Sequence, residues 1–184
     1  RWILSELQLL TREVNAAMEA YELNRATRAF TPFVDNLSNW YIRRSRKRFW
    51  KSEDDSDKEQ AYQTLYEVLK KLSLLMAPFT PFLSEEIYRN LTGEESVHLA
   101  EYPNVEEDLM IDPSGLVENM RMIREVVSIG LQLRSEKKIK VRQPLESLVL
   151  LGWKKLGSGW DEMIKEELNV KEVVLGLSTE NELS

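Results

Sequence analysis

Apolar residues return at steps of three and four along most of the chain as far as Ser135, and a stripe with that period is buried by an α-helix. Ile3, Leu7, Leu10, Val14, Met18 and Tyr21 mark the first stripe. Ala61, Leu65, Val68, Leu72, Leu75 and Met76 mark another, Phe82, Leu83, Ile87 and Leu91 a third, and Leu116, Met120, Ile123, Val127 and Leu131 a fourth. The breaks between them are short and chemically legible. Leu23-Asn24 predicts a corner with Asn24 as N-cap. Pro32 predicts a kink in the helix running from about Arg25 to Lys51. Ser52 to Glu59, with five acids and one Lys, predicts a solvated turn capped by Ser56 or Asp57. Thr80-Pro81 restarts a helix that Gly93 closes. Residues 94–112 predict a long surface connection, and Asp112-Pro113 the opening of the last long helix.

After Lys138 the period changes. Ile139 and Val141 alternate with Lys140 and Arg142, and Gln143-Pro144 breaks the run. Leu148 to Leu151 and Val170 to Leu177 predict strands on either side of a short helix marked by Trp160, Ile164 and Leu168. The expected fold is mainly α: a helical bundle over 1–136 followed by a small α/β unit over 137–184.

One helix carries an unusual load. Six of the nine residues from Arg43 to Lys51 are Lys or Arg, with no acid among them, in a chain of 25 basic and 31 acidic residues. The block is local and does not follow from composition. At 100° per residue, Phe33, Leu37, Trp40 and Tyr41 share the inner side, with Arg44 and Arg48 beyond them needing acid partners. Asn36, Asn39, Arg43, Arg46 and Trp50 fall on the other side. Amides, guanidiniums and an indole are the groups that read unpaired bases and hold phosphates, and Lys47 adds a cation. A second basic patch, Arg134, Lys137, Lys138, Lys140 and Arg142, lies where helix gives way to tail. It reads either as cations favoured at a helix C-terminus or as a second phosphate contact.

Catalytic chemistry is not visible. No Cys is present, which excludes thiolate zinc sites and Cys nucleophiles, and the single His98, in a loop, reads as a surface or half-buried imidazole with no metal cluster or Ser-His-Asp set around it. Gly152 to Gly157 has phosphate-loop spacing, but Ser158 stands where Lys is required. No apolar run approaches the ~20 residues that cross a bilayer. The absence of Cys fits a cytoplasmic protein. The opening Arg1-Trp2-Ile3-Leu4, without Met and inside a helical pattern, reads as the start of a piece of a longer protein.

The run Ser38 to Trp50, SNWYIRRSRKRFW, resembles the helical anticodon-binding domain of isoleucyl-tRNA synthetases. Arg1 to Ser5, Ala61 to Leu65, Met76 to Phe82, Ser96 to Leu99, Lys140 to Leu145 and Glu167 to Lys171 resemble further family stretches in the same order. Valyl and leucyl enzymes share the bundle and the helix joint at Ala77 to Phe82, while the run from Asn39 to Arg46 points to isoleucine. The resemblance implies an enzyme that joins isoleucine to its tRNA with ATP and Mg²⁺ and edits misloaded valine elsewhere. The family's catalytic signatures do not occur in this sequence, so no cofactor is expected here. It implies a further bundle helix before Arg1 and a further region after Ser184. The expected partners are the isoleucine tRNA anticodon stem-loop and the catalytic and editing domains. The expected contacts are Asn36, Asn39, Arg43, Arg46, Lys47 and Trp50, with Lys137, Lys138, Lys140 and Arg142 secondary. A helical module that docks an acidic protein partner is the competing reading.

Overall fold

A computed structural model describes residues 1–51, 55–106, 115–152 and 159–176. By packing, the chain divides into two compact units, Arg1–Val117 and Glu118–Ser184, and the division falls inside the last long helix.

The first unit is helical. Helix α1 (Trp2–Glu19) buries Ile3, Leu7, Leu10, Val14 and Ala17, the stripe expected from its period. Its neighbours are α2 (Leu23–Asp35) and α4 (Asp55–Met76), which adds Val68, Leu72 and Leu75 to the same core. Between α2 and α4 lie a π-helical segment (Asn36–Ile42) and α3 (Arg43–Lys51). Helix α5 (Pro81–Thr92) follows α4, with Thr80 at the N-cap position, Pro81 in the first turn and Gly93 at φ 73 closing it.

Three local expectations are corrected. Helix α2 begins at Leu23 with Glu22 as N-cap, so Asn24 sits in the first turn. Tyr21 lies outside α1 and is 91% exposed. The N–H of Tyr21 donates to the Met18 carbonyl (3.0 Å) and that of Glu22 to the Ala17 carbonyl (2.8 Å), the paired bonds of a Schellman C-cap. Tyr21 therefore holds the left-handed position, at φ 59, that glycine fills at least cost. Tyr21→Gly should raise stability by about 1 kcal/mol, read as a higher urea midpoint of the helical circular-dichroism signal. In α5 the buried residues are Ser84 and Tyr88, while Phe82 is 90% and Leu83 53% exposed. The inner stripe is thus rotated by one residue from the expected one, because the small Ser84 and the Tyr88 ring face inward, with the Tyr88 hydroxyl donating to the Glu94 carboxylate.

The connection after α5 is tied down. A 3₁₀ turn (Val97–Leu99) is held by the Glu85 carboxylate, which accepts from Ser96 Oγ (2.9 Å) and the Val97 N–H (2.8 Å). Those two bonds keep the Glu85 carboxyl below its ordinary range. Buried Gln8 accepts from the Glu106 N–H (2.9 Å), and Asn15 Nδ2 donates to the Pro103 carbonyl (3.1 Å). The residues opening the last helix at Asp112-Pro113 lie outside the described ones.

The second unit contains most of α6 (Leu116–Glu136), then β1 (Leu145–Leu151), α7 (Trp160–Leu168) and β2 (Val170–Gly176). The strands are parallel, in register from Leu145 opposite Val170 to Leu151 opposite Gly176. Helix α6 buries Met120, Ile123, Val126 and Val127, while Leu131 is 37% exposed. A Cβ on Gly130 would stand 2.5 Å from Leu168 Cδ1, so glycine permits close approach of α6 to the end of α7. The alternating Ile139 to Arg142 forms no strand: Ile139 and Lys140 are irregular and Val141-Arg142 lie in a turn closed by the Gln143 N–H donating to the Lys140 carbonyl (2.9 Å).

Candidate nucleic-acid interface

The basic block sits on α3, and the π segment before it sets which residues face outward. The N–H of Arg43 donates to the Ser38 carbonyl, five residues back. Phe33, Leu37, Tyr41, Ser45 and Phe49 are spaced by four and are all buried or half-buried. On an ideal α-helix such a row drifts by about 40° per step. The wider π turn drifts the other way, so placing it mid-row keeps Phe33 and Phe49 on one side. Pro32, one turn earlier, has no N–H for the Arg28 carbonyl, which already weakens regular α bonding there.

This geometry overturns one expected contact. Asn36 is buried, at 8% exposure, and does not belong to the outward stripe. It heads a second inward row with Trp40, Arg44 and Arg48, all half-buried. The outward rows are Asp35, Asn39, Arg43 and Lys47, and Ser38, Arg46 and Trp50, every one exposed. Five of the six expected residues therefore share a solvent-facing surface.

Within it the polar groups are ordered. Asn39 Nδ2 donates to Asp35 Oδ1 (2.6 Å), and Arg43 Nε donates to the Asn39 carbonyl (2.7 Å). A carboxylate only accepts, so the Asn39 amide nitrogen must face Asp35 and its Oδ1 is left facing away as an acceptor. The side chains of Arg46 and Lys47 make no hydrogen bond or ion pair among the described residues. Trp50 is 72% exposed, with its ring edge-on to buried Phe49 at 6.5 Å. Phe49 in turn rests on Tyr62 at 5.1 Å. The indole is thus a platform anchored from below.

Arg48 has the acid partner its inward position requires. Its Nε and terminal nitrogen grip the Asp57 carboxylate at 3.0 and 2.7 Å, joining α3 to the first turn of α4. The guanidinium holds the Asp57 carboxyl below its usual range. Because the folded pKa is depressed, the stabilisation is present above the ordinary aspartate value near pH 4 and is lost as pH falls through the folded one. Asp57→Asn should therefore lower the melting temperature at pH 6, with the gap to the parent closing below about pH 4. Thermal melts from about pH 3 to 7 check this.

The face also extends further than the block suggested. Arg28, Thr31 and Asp35 continue it backwards along α2, all exposed, and Arg28 makes no ion pair among the described residues. The signal was available: Arg28 lies at the same three- and four-residue steps from Asn39. In the second patch, Lys137, Lys138, Lys140 and Arg142 are exposed, whereas Arg134 is buried at 4% exposure and is not a surface cation. Its guanidinium is needed inside, where it meets backbone carbonyls.

No group of three or more His, Cys, Asp or Glu able to hold a metal ion occurs among the described residues. His98 is exposed, its N–H donating to Ser96 Oγ. The Gly152 to Gly157 loop lies mostly outside the described residues. No described helix is long and apolar enough to cross a membrane.

Residues 1–150 match a family described as the anticodon-binding domain of tRNA ligase. Similar relatives include the isoleucine–tRNA ligase of Chlamydia trachomatis serovar D, 45% identical over 179 residues. That of Chlamydia pneumoniae is 46% identical over 180 residues, and that of Treponema denticola 45% over 180. These alignments cover 94–95% of this chain but 16–17% of the relatives, so the chain spans about a sixth of the length of the curated relatives it matches.

Proposed function

The chain belongs to the family of anticodon-binding domains of tRNA ligases, and from that premise we propose that its α3 face grips the anticodon stem-loop of isoleucine tRNA on behalf of a longer isoleucine–tRNA ligase. The observation that carries this reading is the exposed surface of Asn39, Arg43, Arg46, Lys47 and Trp50 on an otherwise acidic chain.

Each group has a task its chemistry suits. Arg43, Arg46 and Lys47 neutralise phosphates, and the released counterions drive association. Asn39, pinned by Asp35, offers a carbonyl oxygen to a base amino group, an acceptor whose direction is fixed before the RNA arrives. Trp50 stacks on an unpaired base, worth roughly 1–3 kcal/mol. Together they hold the hairpin at a set distance from a remote reaction centre that would join isoleucine to the tRNA with ATP and Mg²⁺. Three cations on this face and Arg28 behind them are enough to bind RNA against a net charge of −6, but weakly at high salt.

Isoleucine as the amino acid rests on the names of the relatives. The test is equilibrium binding of the 184-residue chain to an isoleucine tRNA transcript and to the same transcript carrying valine or leucine anticodons. The expected result is tenfold or weaker binding of the swapped RNAs, a difference of about 1.4 kcal/mol. Preference for the valine or leucine anticodon would reassign the amino acid. Tight binding to an acidic protein helix with none to RNA would replace the reading by protein docking.

A further inference from the structure

We infer that the turn 137–142 is a preformed phosphate-binding loop, a second contact for the RNA backbone built into the second unit. The inference rests on the tRNA reading above for the identity of its ligand. Lys137, Lys138, Lys140 and Arg142 are all exposed, and none makes a hydrogen bond or ion pair among the described residues through its side chain. The one acid in the stretch, Glu136, accepts from Gln132 Nε2 at 2.9 Å. Four cations in six residues with no counter-charge between them repel one another, so a free turn would spread apart.

The fold prevents that. The N–H of Lys138 donates to the Ser135 carbonyl (3.0 Å) and that of Ile139 to the Arg134 carbonyl (2.8 Å), a Schellman C-cap on α6. Arg134 is buried, and one terminal nitrogen donates to the Lys140 and Gln143 carbonyls at 3.1 and 3.0 Å. Its other terminal nitrogen donates to the Leu168 and Asn169 carbonyls at 2.7 and 3.1 Å. Asn169 Nδ2 closes the ring by donating to the Val141 carbonyl (2.9 Å). The loop's backbone is thus fixed to the end of α7 while its side chains project into water. Arg134 is a positioning residue: its charge is spent on carbonyls and it orients the cations around it.

A second observation points the same way. Lys138 holds φ 56, the left-handed C′ position where glycine costs least. A lysine there sacrifices stability and places an ammonium on the turn, the pattern of local strain kept for function. Phosphate is the fitting ligand because four exposed cations follow one another along a single turn with no acid between them.

The experiment uses the 184-residue chain and an unmodified isoleucine tRNA transcript, with affinity measured over a series of KCl concentrations. The variants are Lys137→Gln/Lys138→Gln/Lys140→Gln/Arg142→Gln together and Lys138→Gly alone. Arg121→Gln/Lys171→Gln is a control for charge elsewhere in the unit. The fourfold variant should bind about tenfold or more weakly near 0.1 M salt, with a log–log salt slope shallower by roughly 3, from about 0.7–0.9 per lost phosphate contact. Lys138→Gly keeps the turn and should lose about one contact's worth of slope. The control should stay within twofold of the parent. Parent-like affinity and slope in the fourfold variant would overturn the inference, as would loss of binding to phosphatidylserine vesicles with RNA binding unchanged. Unprotected Ile139 and Gln143 amides in free protein would overturn preformation. A loop variant that weakens binding beside an inert Arg43→Glu/Arg46→Glu sinks the α3 reading and leaves the loop standing; the converse sinks the loop alone.

Discussion

Reversing Arg43 and Arg46 to Glu should weaken binding of the isoleucine tRNA transcript by about two orders of magnitude near 0.1 M salt and make the salt dependence shallower by about 2. Two phosphate contacts are lost and two repulsions are added, so the effect exceeds simple neutralisation. The fold should be untouched. Both side chains are exposed, and the bond from Arg43 Nε to the Asn39 carbonyl lies at the surface. A helical melting temperature within a degree or two of the parent is therefore part of the expected result. Net charge is the obvious confounder, since each reversal changes it by two and the pair moves the chain from −6 to −10. Arg121→Glu/Lys171→Glu imposes the same change in the other unit and should cost far less. Equal loss in both variants would mean that the face contributes only bulk charge, and undiminished binding in the first would remove α3 from the interface.

Five of the six residues that sequence patterning placed on that face are exposed, and the exception is instructive. Rotating the chain at 100° per residue placed Asn36 outside and Arg44 inside. The structure agrees about Arg44 in part, since it is half-buried, but it buries Asn36. The error comes from the π segment Asn36–Ile42, whose five-residue hydrogen bonds shift the phase of everything after it relative to everything before. No residue type encodes a π turn strongly. The usable trace was the spacing of Phe33, Leu37, Tyr41, Ser45 and Phe49 by four, which no straight α-helix keeps on one side for so long. The bundle itself was legible because Ile3, Leu7, Leu10 and Val14, and then Val68, Leu72 and Leu75, repeat without interruption and are buried as a set. The rotation of α5 was not legible, since Phe82 and Leu83 are apolar yet exposed while Ser84 is small and buried. Single-residue size decides such packing, and a polar–apolar pattern carries no information on it.

The largest stability effect is expected at Arg134, which composition alone files with the surface cations. Replacing it by Met keeps the volume and the apolar stem but leaves the Lys140, Gln143, Leu168 and Asn169 carbonyls without the donor that now serves them. A buried acceptor that loses its partner costs ~1–3 kcal/mol. Some of the four will find water because they lie near the surface, which puts the expected loss at about 3 kcal/mol or more. That is enough to unfold a small unit locally while the first unit stays folded. Hydrogen exchange resolves the two: amides of β1 and β2 should exchange far faster in the variant, while those of α1 and α4 keep their protection. Arg134→Lys should recover only part of the loss, because an ammonium is a point donor and cannot span carbonyls on two sides as the planar guanidinium does. Uniform protection in both variants would show that the carbonyls need no shared donor. The turn would then be held by its Schellman bonds and Asn169 alone, and the buried charge would have no structural task.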